Sequence, residues 1–241
     1  MATLPLPPFA LDRSEAAQVR FLAGSEMSAA DRALAASAQA EIDRQARRAS
    51  IDRSRGSWTA NQIDCPALPD HLFLRYQRAG WMGVRTIFSA AILRASGRVE
   101  LIPLVANNHS GFWPAPVVQA NIAAFNRIRN QEPAPQESDW LGTGLCYAAL
   151  AGAQPRTAAG EEPYPAPALE LGSRDRAVVR FTDMAAFPQP LEWSLSFDHR
   201  GKLLKVTRQP ALSSQEKLTH PAPVDERGKE VHPAPAPVKG R

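Results

Sequence analysis

The chain of 241 residues is poor in the side chains that usually bind metals or act as nucleophiles, since it contains two cysteines and five histidines. The histidines are scattered, and the sequence has neither a His-x-x-x-His pattern nor a Cys-x-x-Cys pair. We therefore expect no metal site and no bound cofactor. The acidic residues are also not arranged as a pair facing across a predicted cleft, which argues against a glycosidase.

Long apolar runs are missing as well. No stretch approaches the roughly 18 consecutive apolar residues that a membrane-spanning helix needs, so we expect no membrane span. The N-terminal segment also lacks the basic start and apolar core of a leader, because Asp12, Arg13 and Glu15 interrupt the apolar residues that precede them. This pattern predicts a cytoplasmic protein if Met1 is the true start. The alternative is an exported protein whose translation begins upstream of Met1.

The charge balance argues against a dense cationic surface. The net charge is +4, from 28 basic and 24 acidic residues. The densest basic run, residues 44–55, holds five arginines together with Asp52 and directly follows Asp43, a spacing typical of charges on a solvated helix. Nucleic-acid binding is therefore disfavoured, and weak binding through this run is kept as an alternative.

Proline is abundant instead, with 22 residues that gather in short clusters. Because proline interrupts helices and the hydrogen-bond ladders of sheets, these clusters mark the borders of structured segments. They divide the chain into a Pro-rich lead-in with a helical arm (1–56), an α+β domain (57–209) and a Pro-rich tail (210–241). The tail has no apolar period, so we expect it to be disordered.

Two helices are predicted in the arm. The first starts at Asp12 and ends at Gly24, and the second runs from residue 29 to about residue 50 after a cap at Ser28. Small apolar residues recur every four positions along the second helix. They are Ala30, Leu34, Ala38, Ile42 and Ala46. Such a narrow stripe is suited to docking on another surface rather than to nucleating a core.

From residue 57 onward the sequence shows strand periodicity. A three-stranded meander is predicted, then a helix over 116–130, a short helix around 145–151, and further strands that end in a hairpin with its turn at 198–201. The predicted strands are 71–78, 84–94, 98–105, 168–171, 177–182, 191–197 and 202–207. The sequence therefore predicts an α+β fold in which a largely antiparallel sheet, made of the meander and the C-terminal hairpin, packs against one main helix and a short second helix.

The two cysteines, Cys65 and Cys146, enclose the most strongly patterned part of the chain. They are either a disulfide that closes a loop of about 80 residues or two buried thiols, and without a leader the reduced form is favoured. Cys146 follows Gly142-Thr143-Gly144, which we interpret as a turn leading into the short helix. A position near a helix start would favour a reactive thiolate, but the apolar neighbours of Cys146 indicate a buried side chain.

The loop between the third strand and the main helix combines hydrogen-bonding side chains with two large aromatic rings. Its candidate binding residues are Asn107, Asn108, His109, Ser110, Phe112 and Trp113. His109 and Ser110 do not form a catalytic triad, because neighbours in sequence do not normally face each other and no acid is placed beside them. The alternative is that the two aromatic rings fill the core between sheet and helix.

Because reactive residues are sparse, the sequence predicts a non-enzymatic binding or structural module whose partner is an unidentified protein or small molecule. One alternative is a small hydrolase-like enzyme that uses the loop 107–113 with Cys146 or His109. The other alternative is the weak nucleic-acid binding by residues 44–55.

Overall fold

The computed structural model describes residues 20–23, 26–51, 57–79, 85–102, 115–133, 135, 139–153, 167–172, 176–183 and 190–211. These residues contain three helices and nine strands. In chain order they are β1 (Arg20–Ala23), α1 (Ala29–Arg48), β2 (Thr59–Asp64), β3 (His71–Ala79), β4 (Arg85–Leu93), β5 (Val99–Ile102), α2 (Ala115–Arg129), α3 (Asp139–Leu150), β6 (Ala168–Gly172), β7 (Arg176–Asp183), β8 (Leu191–Phe197) and β9 (Leu203–Pro210).

The strands form two antiparallel sheets in which neighbours in sequence are neighbours in space. The first sheet has the order β1-β2-β3-β4-β5, and the second has the order β6-β7-β8-β9. The predicted α+β class and its antiparallel strands are confirmed. The predicted meander and the predicted C-terminal hairpin lie in different sheets, because β5 ends the first ladder and a new ladder begins at β6.

One face of the first sheet is covered by α1, the helix predicted over residues 29–50. Its small-residue stripe packs on β4 and β5 of the same chain, and Ile42 and Ala46 are completely buried. Leu72, Leu74 and Tyr76 of β3 share this core with α1, in keeping with the alternation predicted for that strand. Ser28 caps α1, because its hydroxyl accepts a hydrogen bond of 3.0 Å from the backbone N–H of the residue at the third helical position.

The other face of the first sheet meets α2, α3 and the second sheet in a larger core, which we name the central core. Phe73 of β3 enters it from the first sheet, and Phe125 of α2 packs edge-on against Tyr147 of α3 with 5.1 Å between the ring centroids. The buried face of β8 contributes Trp193, Leu195 and Phe197, the one-sided pattern expected from its sequence. Helix α3 therefore lies between the two sheets.

Helix α3 is longer than predicted, and this corrects the interpretation of Gly142-Thr143-Gly144 as a turn. The helix starts at Asp139, so both glycines lie inside it and Cys146 lies well beyond its first turn. Close packing explains the two glycines. A Cβ atom on Gly142 would lie 3.0 Å from Cβ of Ala67, and one on Gly144 would lie 2.7 Å from Cγ1 of Val179.

The prediction of a first helix that ends at Gly24 is wrong for its C-terminal residues. Residues Arg20–Ala23 form strand β1, which pairs with β2 in the register Arg20 to Asp64 and Ala23 to Asn61. The rest of that predicted helix lies outside the described residues. Local capping signals favoured a helix here, whereas the ladder with β2, about 40 residues away, supplies hydrogen bonds that a local pattern does not reveal.

Side-chain hydrogen bonds fix the ends of the two central helices. The amide of Asn126 on α2 donates to the carbonyl of Leu203 at 3.0 Å and accepts from the N–H of the same residue at 2.8 Å, so it acts as a short strand partner for β9. At the C-terminal end of α3, the hydroxyl of Ser89 donates to the carbonyl of Leu150 at 2.9 Å. Arg75 donates to the carbonyl of Gly152 at 3.3 Å.

The predicted hairpin turn at residues 198–201 is present. Its Asp198 carboxylate accepts hydrogen bonds from the backbone N–H groups of Arg200 and Lys202 at 2.9 and 3.0 Å, and Gly201 has a φ of +83°. Within the described parts of the chain, no helix has both the length and the apolarity to cross a membrane. The predicted tail from residue 212 onward lies outside the described residues, and the predicted border at residue 57 stays a prediction.

We expect Gly144→Ala to destabilise the protein by roughly 1 to 2 kcal/mol, because the new methyl group overlaps Val179 by more than the gain in helix propensity offsets. Urea unfolding measures this change. The double variant Gly144→Ala with Val179→Ala should lose less than the sum of the two single losses, since the second change removes the overlapping atoms. A Gly144→Ala variant as stable as the parent would show that α3 does not approach β7 this closely.

Candidate functional site

The structure places only some of the predicted site residues. Asn107, Asn108, His109, Ser110, Phe112 and Trp113 lie outside the described residues, so a binding role for this loop stays a prediction. Both cysteines are described. In sequence, the loop leads directly into α2, which begins at Ala115.

The two cysteines are neighbouring free thiols in the central core. Cys65 directly follows β2 and is 6% exposed, whereas Cys146 on α3 is completely buried. The two side chains are hydrogen bonded to each other. Burial, and then the hydrogen bond from Cys146, raise the pKa of the Cys65 thiol well above its ordinary value. A protonated thiol and a thiol buried away from solvent are both poor nucleophiles, so this pair does not favour the hydrolase-like alternative.

A buried His–Glu pair lies at the start of β3. Nδ1 of His71 is 2.6 Å from Oε1 of Glu132, and the two side chains are only 2% and 1% exposed. The backbone N–H of Asp70 also donates to Glu132 at 3.4 Å, and the His71 ring stacks on Phe73. This pair therefore clamps the connection between β2 and β3 to the segment that follows α2.

A buried arginine lies beside this clamp, at the joint of α2 and α3. Burial lowers the pKa of Arg129, and the negative charges of Glu132 and Asp139 oppose that shift. Because Asp139 is the first residue of α3 and Arg129 the last of α2, the C-terminal end of α2 lies near the N-terminal end of α3.

A second group of polar side chains lies in the central core around Tyr147, and we name it the inner polar cluster. It comprises the buried residues Tyr147, Asp183 and Trp193 and the half-buried Arg208. Arg208 on β9 pairs with Trp193 on β8, and its guanidinium carbon is 5.3 Å from the centroid of the Trp193 ring. Phe181 on β7 completes this row, with its ring stacked on Trp193 at 5.5 Å.

Electrostatics connect the charged members of the inner polar cluster. Burial lowers the pKa of Arg208, and attraction to Tyr147 and Asp183 opposes this shift. Burial also raises the pKa of Tyr147 well above its ordinary value, despite the nearby positive charge of Arg208. At neutral pH the cluster thus holds one cation, one carboxylate and a protonated phenol, and its formal charge is zero.

Asn121 on α2 is a further buried polar residue. It is completely buried, and neither its amide nitrogen nor its amide oxygen has a hydrogen-bond partner among the described residues. It lies four residues before Phe125, on the same side of α2, and Phe125 packs against Tyr147 of the inner polar cluster.

Sequence reasoning missed the inner polar cluster, although one signal for it was present. Ala177, Val179, Phe181 and Asp183 alternate along β7, so the acid falls on the strand's apolar face. Arg208 occupies the inner face of β9 in the same way, opposite Trp193. A charged residue at a strand position that otherwise faces the core indicates a polar group in the interior. Two such residues on separate strands indicate a candidate site.

The described part of the basic run forms exposed helix surface. Arg44 donates through Nε to Glu41 at 2.7 Å, and this pair lies one turn apart on α1. Arg47 and Arg48 in the last turn are also exposed. These positions agree with the solvated helix that the charge spacing favours, and nucleic-acid binding by residues 44–55 stays a prediction.

Comparison with protein-family models, with curated proteins and with solved structures finds no match to this chain. Within the described residues, no three side chains of histidine, cysteine, aspartate or glutamate are grouped so as to hold a metal ion.

We expect Glu132→Ala to destabilise the protein by roughly 2 to 3 kcal/mol, because it leaves a buried imidazole without its partner. The matched control is Glu100→Ala, which breaks the pair with Arg127 at the surface and should cost less than about 1 kcal/mol. Chemical unfolding at pH 7 compares the two variants. Equal losses would contradict a clamp role for the His71–Glu132 pair.

We expect the reduced protein to lose stability as the pH rises above about 9. The pKa values of Cys65 and Tyr147 are raised in the folded state, so above the ordinary values of 9.0 and 10.0 the unfolded chain binds fewer protons than the folded one. Stability then falls by about 1.4 kcal/mol per pH unit for each group. Unfolding with a reductant present, from pH 7 to pH 11, measures the slope. Cys65→Ser and Tyr147→Phe should each flatten it, and an unchanged slope in both variants would refute the assignment.

Proposed function

We propose that the protein is a non-enzymatic binding module that holds a small, neutral, planar molecule between Asn121 and the inner polar cluster. The observation that carries this proposal is the amide of Asn121, which is buried in the central core without a hydrogen-bond partner among the described residues. Burying an unbonded amide costs on the order of 1 to 3 kcal/mol. A residue that lowers stability in this way is typical of a site kept for binding rather than for folding.

The ligand class follows from Asn121 and from the inner polar cluster, which the proposal brings to the same ligand. An amide side chain presents an N–H donor beside a carbonyl acceptor. It can therefore form two hydrogen bonds to a ligand that has an acceptor beside a donor along one edge. Asp183 accepts hydrogen bonds, whereas Arg208 and the protonated Tyr147 donate them. Because the charges of Asp183 and Arg208 cancel, the cluster favours a ligand without net charge.

The aromatic side chains add a preference for flat molecules. Phe181 and Trp193 form a stacked pair, and Phe125 with Tyr147 forms an edge-on pair. Apolar and aromatic walls with a few convergent polar groups are typical of small-molecule sites. A planar heterocycle or a planar amide has both a hydrogen-bonding edge of this kind and a flat face that can stack on aromatic rings.

The same chemistry favours binding over catalysis. Tyr147 remains protonated at neutral pH, so it serves as a donor and not as a general base. Cys146 lies in the same helix, one residue before Tyr147, but its thiol is completely buried and hydrogen bonded to the thiol of Cys65. The loop 107–113, predicted to bind a ligand, precedes α2 in sequence.

The proposal is tested with nicotinamide and adenine as probes, because both are neutral and planar and present a donor beside an acceptor. Pyridine is the matched control, since it keeps the aromatic ring but has no donor. Isothermal titration calorimetry at pH 7 should show binding of at least one of the two probes with a Kd on the order of 0.1 to 1 mM, and no binding of pyridine at the same concentration. Absence of binding by both probes would overturn the ligand class.

We expect Asn121→Leu to raise stability by roughly 1 to 3 kcal/mol and to weaken probe binding at least about tenfold, because it removes both the unbonded amide and the recognition group. Asn130→Leu, the same change at an exposed position just after α2, should alter neither property. Urea unfolding and calorimetry measure the two effects. A less stable Asn121→Leu variant would show that the amide is bonded within the fold, and would overturn the proposal.

A further inference from the structure

We infer that Cys65 and Cys146 are the site of an intramolecular disulfide that ties the end of β2 to the central helix α3. This inference does not depend on the proposed ligand site. It rests on the positions of the two thiols, which are hydrogen bonded to each other inside the central core although they are far apart in sequence.

A second contact holds the two segments against each other. Ala67, two residues after Cys65, lies 3.0 Å from the position that a Cβ atom of Gly142 would occupy. Gly142 is one helical turn before Cys146, so both lie on the same side of α3. The backbone of α3 therefore packs against the connection from β2 to β3 at the level of the thiols, and this packing holds the two sulfurs beside each other.

The chemistry requires an oxidant, which we take to be a small disulfide such as oxidised glutathione. The Cys65 sulfur, as thiolate, attacks the small disulfide and releases one thiol, which leaves a mixed disulfide on Cys65. The Cys146 sulfur then attacks the sulfur of Cys65, the protein disulfide forms, and the second small thiol leaves. The protein loses two protons and two electrons in total, and the small disulfide gains them as two thiols.

The order of the two attacks follows from burial. Cys65 lies at the edge of the core, beside the exposed Pro66, whereas Cys146 is sealed within α3. Cys65 is thus the sulfur that meets the oxidant and Cys146 the one that resolves the mixed disulfide. Because both thiols are buried in the folded protein, the exchange should occur during folding, at the stage when Cys146 is already packed in α3 and Cys65 still meets solvent, and much faster than by oxidation of the folded chain.

The experiment compares two refolded samples of the full chain. One is refolded from denaturant with reduced and oxidised glutathione, and the other with an excess of reductant. After denaturation, thiol counting should find no thiols in the first sample and two in the second, and the intact mass of the first should be lower by two hydrogen atoms. Thermal unfolding should show a Tm higher in the first sample by on the order of 10 °C, because the bond restricts the unfolded chain.

Two controls separate this disulfide from other products. Cys65→Ser and Cys146→Ser should each refold with the same Tm in both buffers, since neither variant can form the internal bond. Disulfide formation in the parent chain is measured directly from its intact mass, so the result does not depend on how well the variants fold. Two free thiols in the glutathione sample, a glutathione adduct on one cysteine, a disulfide-linked dimer, or a Tm that does not rise would each overturn the inference.

Discussion

Helix α3 lies between the connection from β2 to β3 on one side and strand β7 on the other, with a glycine at each point of closest approach. A helix in this position has almost no solvated face, so nearly every side chain from Trp140 to Leu150 is apolar, small or hydrogen bonded. The carbonyls at the C-terminal end of the helix and just after it are likewise remote from water. They accept hydrogen bonds from Ser89 and Arg75 of the first sheet. The helix backbone itself makes the closest contacts, because Gly142 and Gly144 have no side chain there. The thickness of one helix backbone therefore sets how closely its two neighbours approach each other.

The buried polar groups on and beside α2 differ in how well they are satisfied. At the joint of α2 and α3, His71 and Glu132 pair directly, and Arg129 lies in the field of two acids. In the middle of α2, the amide of Asn121 has no partner among the described residues. Interiors tolerate polar groups when hydrogen bonds compensate for lost water, so the joint is suited to stability, whereas Asn121 is the position that we propose for recognition.

Much of the fold could be predicted from periodicity, because α1, α2, β3, β4 and the β8–β9 hairpin each have one apolar face of the right period. The failures have a common cause. Strand β1 depends on a distant partner in β2, and the length of α3 depends on glycines chosen for packing, which a local rule interprets as a turn. The same limit applies to the site: Cys65 and Cys146 could be paired by elimination, but Asp183, Arg208 and Tyr147 come together only through sheet register and the packing of α3.

The bond between Asn126 and Leu203 has a consequence for synthesis of the chain. The two residues are 77 positions apart, and the amide replaces a missing strand at the edge of the second sheet. As the ribosome releases the chain from its N-terminal end, the first sheet and α1 can associate early, but α2 exposes this amide until β9 has emerged. The central core is thus sealed last, and a nascent chain halted before residue 203 would present an open apolar face to chaperones.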